Sequence, residues 1–277
     1  MHILLCSKRD LVACLMLQRM LPRLPPARIT LLVANRQRSQ ALAVPQLRLL
    51  RFFEEELPNQ VLFPLADAAG APGTILPFEK FAARHGVELV VADGLGRRGR
   101  SALYRELAPD LILTFKFGFL LHPEDIALPA FGAWNLHSGR LPDRPGLHAV
   151  FWAMHDGDDT TTATVHRIDE GIDSGPIALA EDRVIVPGQS FFQTMVQTYL
   201  MGANLLADLA SGLCRGQAPA LRPQTQSGQR RYLGLPTGED IARFEAAGGL
   251  FLDPDVYLEQ VRGLLVPSAS DQLPPRR

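Results

Sequence analysis

The densest run of reactive side chains lies between residues 135 and 175, NLHSGRLPDRPGLHAVFWAMHDGDDTTTATVHRIDEGIDSG. Asn135 and His137 are two positions apart, so on a strand over 133–137 their side chains leave the same face, at the carboxyl end where sites form in α/β sheets. An amide NH₂ is a permanent neutral donor, and imidazole is the side chain that titrates closest to neutrality. The pair therefore suits an acyl group whose oxygen becomes negative during attack. Taken alone, the two could equally be a satisfied strand-end amide and a solvated imidazole. Asp173, in Gly171-Ile172-Asp173-Ser174-Gly175, sits in a loop shaped to present one side chain. Brought near His137, its carboxylate would raise the imidazole's basicity and fix its tautomer. An Asp between glycines is also common in turns for purely local reasons.

Other chemistries fit less well. His148, His155 and His166 accompany Asp156, Asp158 and Asp159, but two helical turns separate the first two histidines by about 10 Å, too far to share one ion. No metal is expected, and the Asp-Gly-Asp-Asp run reads as a solvated turn. No G-x-S-x-G elbow occurs, and the three cysteines, Cys6, Cys14 and Cys214, have neither disulfide nor zinc spacing; they read as buried thiols. The first strand ends in Cys6-Ser7-Lys8-Arg9-Asp10, without the glycines that let a backbone approach a pyrophosphate, which argues against a dehydrogenase.

The elements that must position these residues read as alternating β and α. Strands are expected over 2–6, 29–34, 87–92, 110–115, 133–136 and 163–168. Helices are expected over 10–20 with Asp10 as cap, and over 78–85, 101–107, 147–155 and 190–209. Residues 35–40 read as a polar turn, and 41–75 are rich in Leu and Phe without a clean period. The expected fold is α/β: a Rossmann-like, mostly parallel sheet with helices on both faces, plus a small C-terminal extension. The expected domain spans 1–212. A Pro-, Gly- and Gln-rich linker at 215–230 opens a small segment to 265 with short helices at 237–247 and 255–265, and a loose tail covers 266–277.

Hydrophobic residues at 47% and charged residues at 21% are ordinary for a globular chain, and 28 basic against 29 acidic residues give a net charge of −1. That balance offers no footprint for nucleic acid or an anionic membrane. The apolar start is too short for a signal peptide or a span, so a soluble, cytoplasmic protein is expected.

The order Asn135-x-His137, Leu141-Pro142, Gly146, Thr164-Val165-His166 and Asp173-x-Gly175 resembles the folate-dependent formyltransferases, the superfamily of glycinamide ribonucleotide, methionyl-tRNA and sugar N-formyltransferases. The resemblance covers about residues 1–210, and the 36 positions from His137 to Asp173 agree with the family's triad spacing. It implies that Asn135 and His137 hydrogen-bond the formyl oxygen, that Asp173 pairs with the imidazole, and that 10-formyltetrahydrofolate is the formyl donor. It further implies that the pterin lies in an apolar slot walled by Gly118, Leu120, Leu121 and the loop Asp169, Glu170, Gly171 and Ile172. Leu120 and Leu121 would otherwise be plain core residues.

The chain departs from the family at Ser138-Gly139-Arg140 and at Pro145, where relatives place an arginine and this chain has Arg144 one step earlier. The first loop lacks phosphate-binding glycines, which disfavours glycinamide ribonucleotide. The residues after Gly212 lack basic bias, which disfavours tRNA. The acceptor implied is the amine of a small metabolite, an amino sugar or an amino-acid-like molecule. Hydrolysis of the formyl-folate and a non-catalytic folate-binding module are the alternatives. The segment 230–265 is expected either to complete the acceptor pocket or to form a homodimer contact.

Overall fold

β1, His2–Ser7, is buried along all six residues, as a central parallel strand must be. Its side chains alternate between two clusters: Ile3 and Leu5 point into the larger core, Leu4 and Cys6 into a smaller one on the opposite face. In the computed structural model, which describes residues 1–35, 43–69, 73–225 and 232–266, this strand lies at the centre of a seven-stranded sheet ordered β3-β2-β1-β4-β5-β6-β7.

Along the chain, β1 leads into α1 (Leu11–Met20), whose cap Asp10 accepts a hydrogen bond from the Ala13 N–H at 2.8 Å. β2 is Arg28–Val33. The residues without a clean period hold α2 (Pro45–Arg51), π-helical turns at Phe52–Glu56 and Pro58–Leu62, and α3 (Phe63–Ala68). Then come α4 (Phe78–His85), β3 (Glu88–Val91), α5 (Arg97–Leu107), β4 (Leu111–Phe115), the short α6 (Pro123–Ile126) and β5 (Ala133–His137). α7 (Ala149–His155), β6 (Thr160–Arg167), β7 (Ile177–Val184) and the long α8 (Phe191–Cys214) follow.

The first five strands run parallel, whereas β6 pairs antiparallel with β5 and β7 antiparallel with β6. The sheet is Rossmann-like and mostly parallel, with helices on both faces. Strand order reverses between β1 and β4, which makes their carboxyl ends the switch point where such sheets open a ligand crevice. β7 was not anticipated from the sequence. Its centre, Ala180 to Asp182, is largely exposed on the sheet edge and lacks the apolar alternation that marks a half-buried strand.

The C-terminal extension is packed into the main core rather than hung from a linker. Residues 215–225 run back along the sheet and bridge Arg222 to Ile177. α9 (Gly238–Ala246) and α10 (Pro254–Leu265) bury Ile241, Phe244, Tyr257, Val261 and Leu264 in the same cluster as β1 and α8. Phe151, Phe191, Phe244 and Phe251 meet ring to ring, with centroids 5.1–6.1 Å apart. The expected turn after residue 35, part of the expected linker and nearly all of the tail fall on 36–42, 226–231 and 267–277, outside the described residues. No described helix is long and apolar enough to cross a membrane.

Candidate active site

Trp134 and Leu136 of β5 face the larger core, so the pleat turns Asn135 and His137 together to the opposite face. Asn135 sits in register with Thr114 of β4. The Thr114 hydroxyl donates to Asn135 Oδ1 at 2.7 Å, and Asn135 Nδ2 donates to His166 Nε2 on β6 at 3.1 Å. His166 Nδ1 donates in turn to the Arg167 carbonyl at 3.0 Å, which makes its Nε2 an acceptor. These contacts fix the orientation of the amide. An amide carries two N–H donors, so one remains for the cavity that Asn135 lines.

His137 is buried, 6% exposed, and its Nε2 donates to the Arg144 carbonyl at 2.6 Å. Its other nitrogen, Nδ1, faces Asp173 Oδ2 at 3.6 Å, an ion-pair distance but too long for a hydrogen bond. Asp173 holds a left-handed backbone, φ 51°, which few residue types besides Gly, Asn and Asp adopt. The Gly146 N–H donates to Oδ2 at 2.8 Å, and His166 Nε2 lies 3.5 Å from Oδ1. Burial opposes ionisation of this carboxyl, but His137 and His166, when protonated on the nitrogens that face it, together with the Gly146 N–H outweigh it and hold its pKa well below the usual carboxylate range. Gln224 ties the loop down from the C-terminal arm, donating to the carbonyls of Asp173 and Gly175 at 2.9 and 2.7 Å.

These side chains line one end of a cavity of about 410 Å³. Phe117, Gly118, Phe119, Leu120, Leu121, Ile168, Gly171 and Ile172 form an apolar flank. Tyr199 of α8, Leu147 beside α7, and Tyr232 and Leu235 of the C-terminal segment close other sides. Among the slot residues expected from the sequence, Gly118, Leu121 and Ile172 line the cavity. So does Leu120, which is 58% exposed and not a core residue. Asp169 and Glu170 do not line it. Asp169 Oδ1 accepts from Ser174 Oγ and the Gly171 N–H at 2.6 and 3.1 Å, so it braces the loop, and Glu170 is exposed.

The acidic run read as a solvated turn has a structural task. Asp158 grips the Arg144 guanidinium through Nε and Nη2 at 2.8 Å each, and Asp156 holds Nη1 at 2.7 Å. Among the described residues no group of three His, Cys, Asp or Glu side chains is placed to hold a metal ion. Cys6 and Cys14 are buried and their thiol pKa values are pushed up by burial, whereas Cys214 is exposed rather than buried.

Sequence reasoning missed Thr114 and the Arg144 carbonyl. Thr114 was findable as the one hydroxyl in the apolar run LILTF. A backbone acceptor has no signature in residue type.

A formyl transferase family model matches residues 77–205, a span that carries Asn135, His137, His166 and Asp173. Over that span the chain carries the features of a formyl transferase domain. It is 31% identical over 174 residues to a methionyl-tRNA formyltransferase of Kosmotoga olearia, an overlap that takes in 62% of this chain and 55% of that protein. The chain thus spans about half the length of the curated relatives it matches. Glycinamide ribonucleotide transformylase 1 from Symbiobacterium toebii superposes with a TM-score of 0.57 at 17% identity, covering 81% of this chain and 94% of that one. An N-formyltransferase from Helicobacter canadensis, solved with folinic acid and dTDP-3-aminofucose, superposes with a TM-score of 0.55 at 14% identity, covering 84% and 71%. At these identities the solved structures share the fold of this chain.

Proposed function

We propose that the chain transfers a formyl group from 10-formyltetrahydrofolate to the amine of a small acceptor. The observation that carries this reading is the meeting of Asn135, His137 and Asp173 at the carboxyl end of β5, beside the apolar flank of a cavity of about 410 Å³. The donor enters from the family and from the folinic acid with which the Helicobacter canadensis relative was solved.

In this reading Asn135 turns its remaining N–H to the oxygen that gains negative charge when an amine attacks the formyl carbon. His137, with Nε2–H committed to the Arg144 carbonyl, presents a bare Nδ1 as proton acceptor. Once protonated there it becomes a donor, and Asp173 stabilises the imidazolium without taking the proton. The arrangement moves one proton from the attacking amine toward the departing folate nitrogen and keeps the oxyanion paired meanwhile.

A second reading places the amine on methionyl-tRNA, as the names of the curated relatives have it. A third has water attack, with formate as product. One experiment separates them: purified protein with 10-formyltetrahydrofolate, offered methionyl-tRNA, small amines, or neither, while tetrahydrofolate and formate are followed. The proposal expects tetrahydrofolate release that requires a small amine. Release without any amine supports hydrolysis, and release with charged tRNA alone supports the second reading.

A further inference from the structure

The triad and the apolar flank leave one wall of the cavity without a task, and that wall is built of charges. Lys116, just past β4, adopts a left-handed backbone, φ 51°, and is almost fully buried. Its Nζ lies 2.7 Å from Glu54 Oε1 and 3.3 Å from Asp10 Oδ2, and 5.2 Å from the centre of the Tyr199 ring. Tyr199 lines the cavity beside Ser138, the neighbour of His137, so the charged wall adjoins the triad. Burial would depress the Lys116 ammonium, but Asp10 and Glu54 outweigh it and hold its pKa above the usual range. Beside this group Lys8 Nζ lies 3.7 Å from Glu55 Oε2.

Glu54, Glu55, Lys8, Arg51 and Lys116 all line the cavity. Glu54 and Glu55 reach it from the π-helical turn Phe52–Glu56, a backbone form concentrated at functional sites. That turn is braced from behind by α10, where the Tyr257 hydroxyl donates to the Phe53 carbonyl at 2.8 Å. The charges do not cancel. Arg51 is matched by Glu56 at 3.2 Å, leaving the carboxylates of Asp10, Glu54 and Glu55 against the ammoniums of Lys8 and Lys116. Among the described residues Asp10 Oδ2, fully buried, accepts no hydrogen bond and is paired with the Lys116 ammonium. Among the described residues of this wall every cation already has a carboxylate, so a phosphate would add charge of the wrong sign where the low dielectric makes it most costly.

We propose that this wall is the acceptor subsite and that it takes a small, phosphate-free amine carrying a second, cationic nitrogen. A diamine or a basic amino acid is the class: one nitrogen stays an ammonium against Glu54 and Glu55, and the other, uncharged, attacks at His137. The new N–C bond forms as the bond from the formyl carbon to the folate nitrogen breaks, and the proton lost by the amine ends on that nitrogen. The inference rests on the formyl-transfer reading and adds the chemical class of the acceptor.

The test uses the full chain with 10-formyltetrahydrofolate and two sets of amines: cadaverine and lysine in one, glucosamine phosphate and a nucleoside-diphosphate amino sugar in the other. Folinic acid binding is measured in parallel by fluorescence quenching. Expected are faster transfer to the first set and, in Glu54→Gln and Glu55→Gln, a KM for that amine raised about ten-fold, the loss typical of a charged partner, with folinic acid binding unchanged. Preference for the phosphate-bearing amines, transfer to neither set while folinic acid binds, or an unchanged KM in both variants would overturn the subsite. Failure to bind folinic acid at all would instead remove the formyl-transfer reading beneath it. Because the amine panel is read on the unaltered protein, a variant that does not fold still leaves the comparison decisive.

Discussion

The imidazole Nε2 of His137 lies 2.6 Å from the carbonyl oxygen of Arg144, and the side chain of that same Arg144 is gripped by Asp156 and Asp158. One residue therefore joins a half-exposed charge clasp to the tautomer of the central histidine. Partly exposed ion pairs are worth about 0–1 kcal/mol each, so releasing the clasp would change stability little. Letting the 144 carbonyl drift would displace His137, and misplacements near 1 Å lower rates by up to about a hundred-fold. Arg144→Gln is expected to lower kcat at least about ten-fold, with a melting temperature within a few degrees of the parent. A parent-like kcat would show that the carbonyl is held without the guanidinium.

Gly139 tests the same geometry from the other side. A Cβ there would run into Ala149 Cβ and stand 2.8 Å from His137 Nε2 and 3.0 Å from the Arg144 carbonyl oxygen. Such overpacking typically destabilises by about 1–3 kcal/mol. Gly139→Ala is expected to melt lower and to lose most of its turnover. Adding Ala149→Gly, which removes the hardest contact, should recover stability more than activity, because the contacts with His137 and Arg144 persist. Equal recovery of both would place the defect in packing alone.

The parts of the fold that announced themselves were those whose chemistry is local. Asp10 capping α1, the apolar runs of β1 and β4, and the three-and-four spacing of α8 all depend on neighbours in the chain. The stretch from Pro45 to Ala68 did not, because its π-helical turns shift the apolar positions away from a steady 3.6-residue period. For the site, two-residue spacing on a strand was enough to place Asn135 and His137 on one face. What set their hydrogen bonds was long-range: Thr114 across the sheet, the Arg144 carbonyl, and the Gly146 N–H that reaches Asp173. Asp169 and Glu170 show the limit of carrying a loop over from a resemblance, since neighbours in the same turn face different ways.

Under the proposed formyl transfer, Asn135 gives the most direct measure of how much the proposed oxyanion contact contributes. Removing a single donor of this kind lowers kcat by about a hundred- to a thousand-fold. Asn135→Ala is expected to show that loss in single-turnover formyl transfer while binding folinic acid as the parent does, because the apolar flank is untouched. Thr114→Val keeps the amide and removes only the hydroxyl that orients it at 2.7 Å, so its loss should be smaller. A Thr114→Val variant as slow as Asn135→Ala would mean that the hydroxyl itself touches the reacting group.

Glu55 offers a pH-dependent test of the charged wall. Burial raises its pKa, opposed by Lys8, so the folded protein holds a proton on this carboxyl after the unfolded chain has released it near pH 4.3. Its contribution to stability is therefore greatest below that value and declines as pH rises from there through the raised folded value, beyond which a constant penalty remains. Glu55→Gln removes the ionisation. Its melting temperature should exceed that of the parent at neutral pH, and the difference should shrink as the pH is lowered through the raised folded value toward about 4.3, below which it levels off. Together with a weaker acceptor KM, that outcome would mark Glu55 as a charge held at the expense of stability for the sake of binding. A variant less stable than the parent at neutral pH would show instead that the contacts of Glu55 with Lys8 and Asn35 outweigh its desolvation.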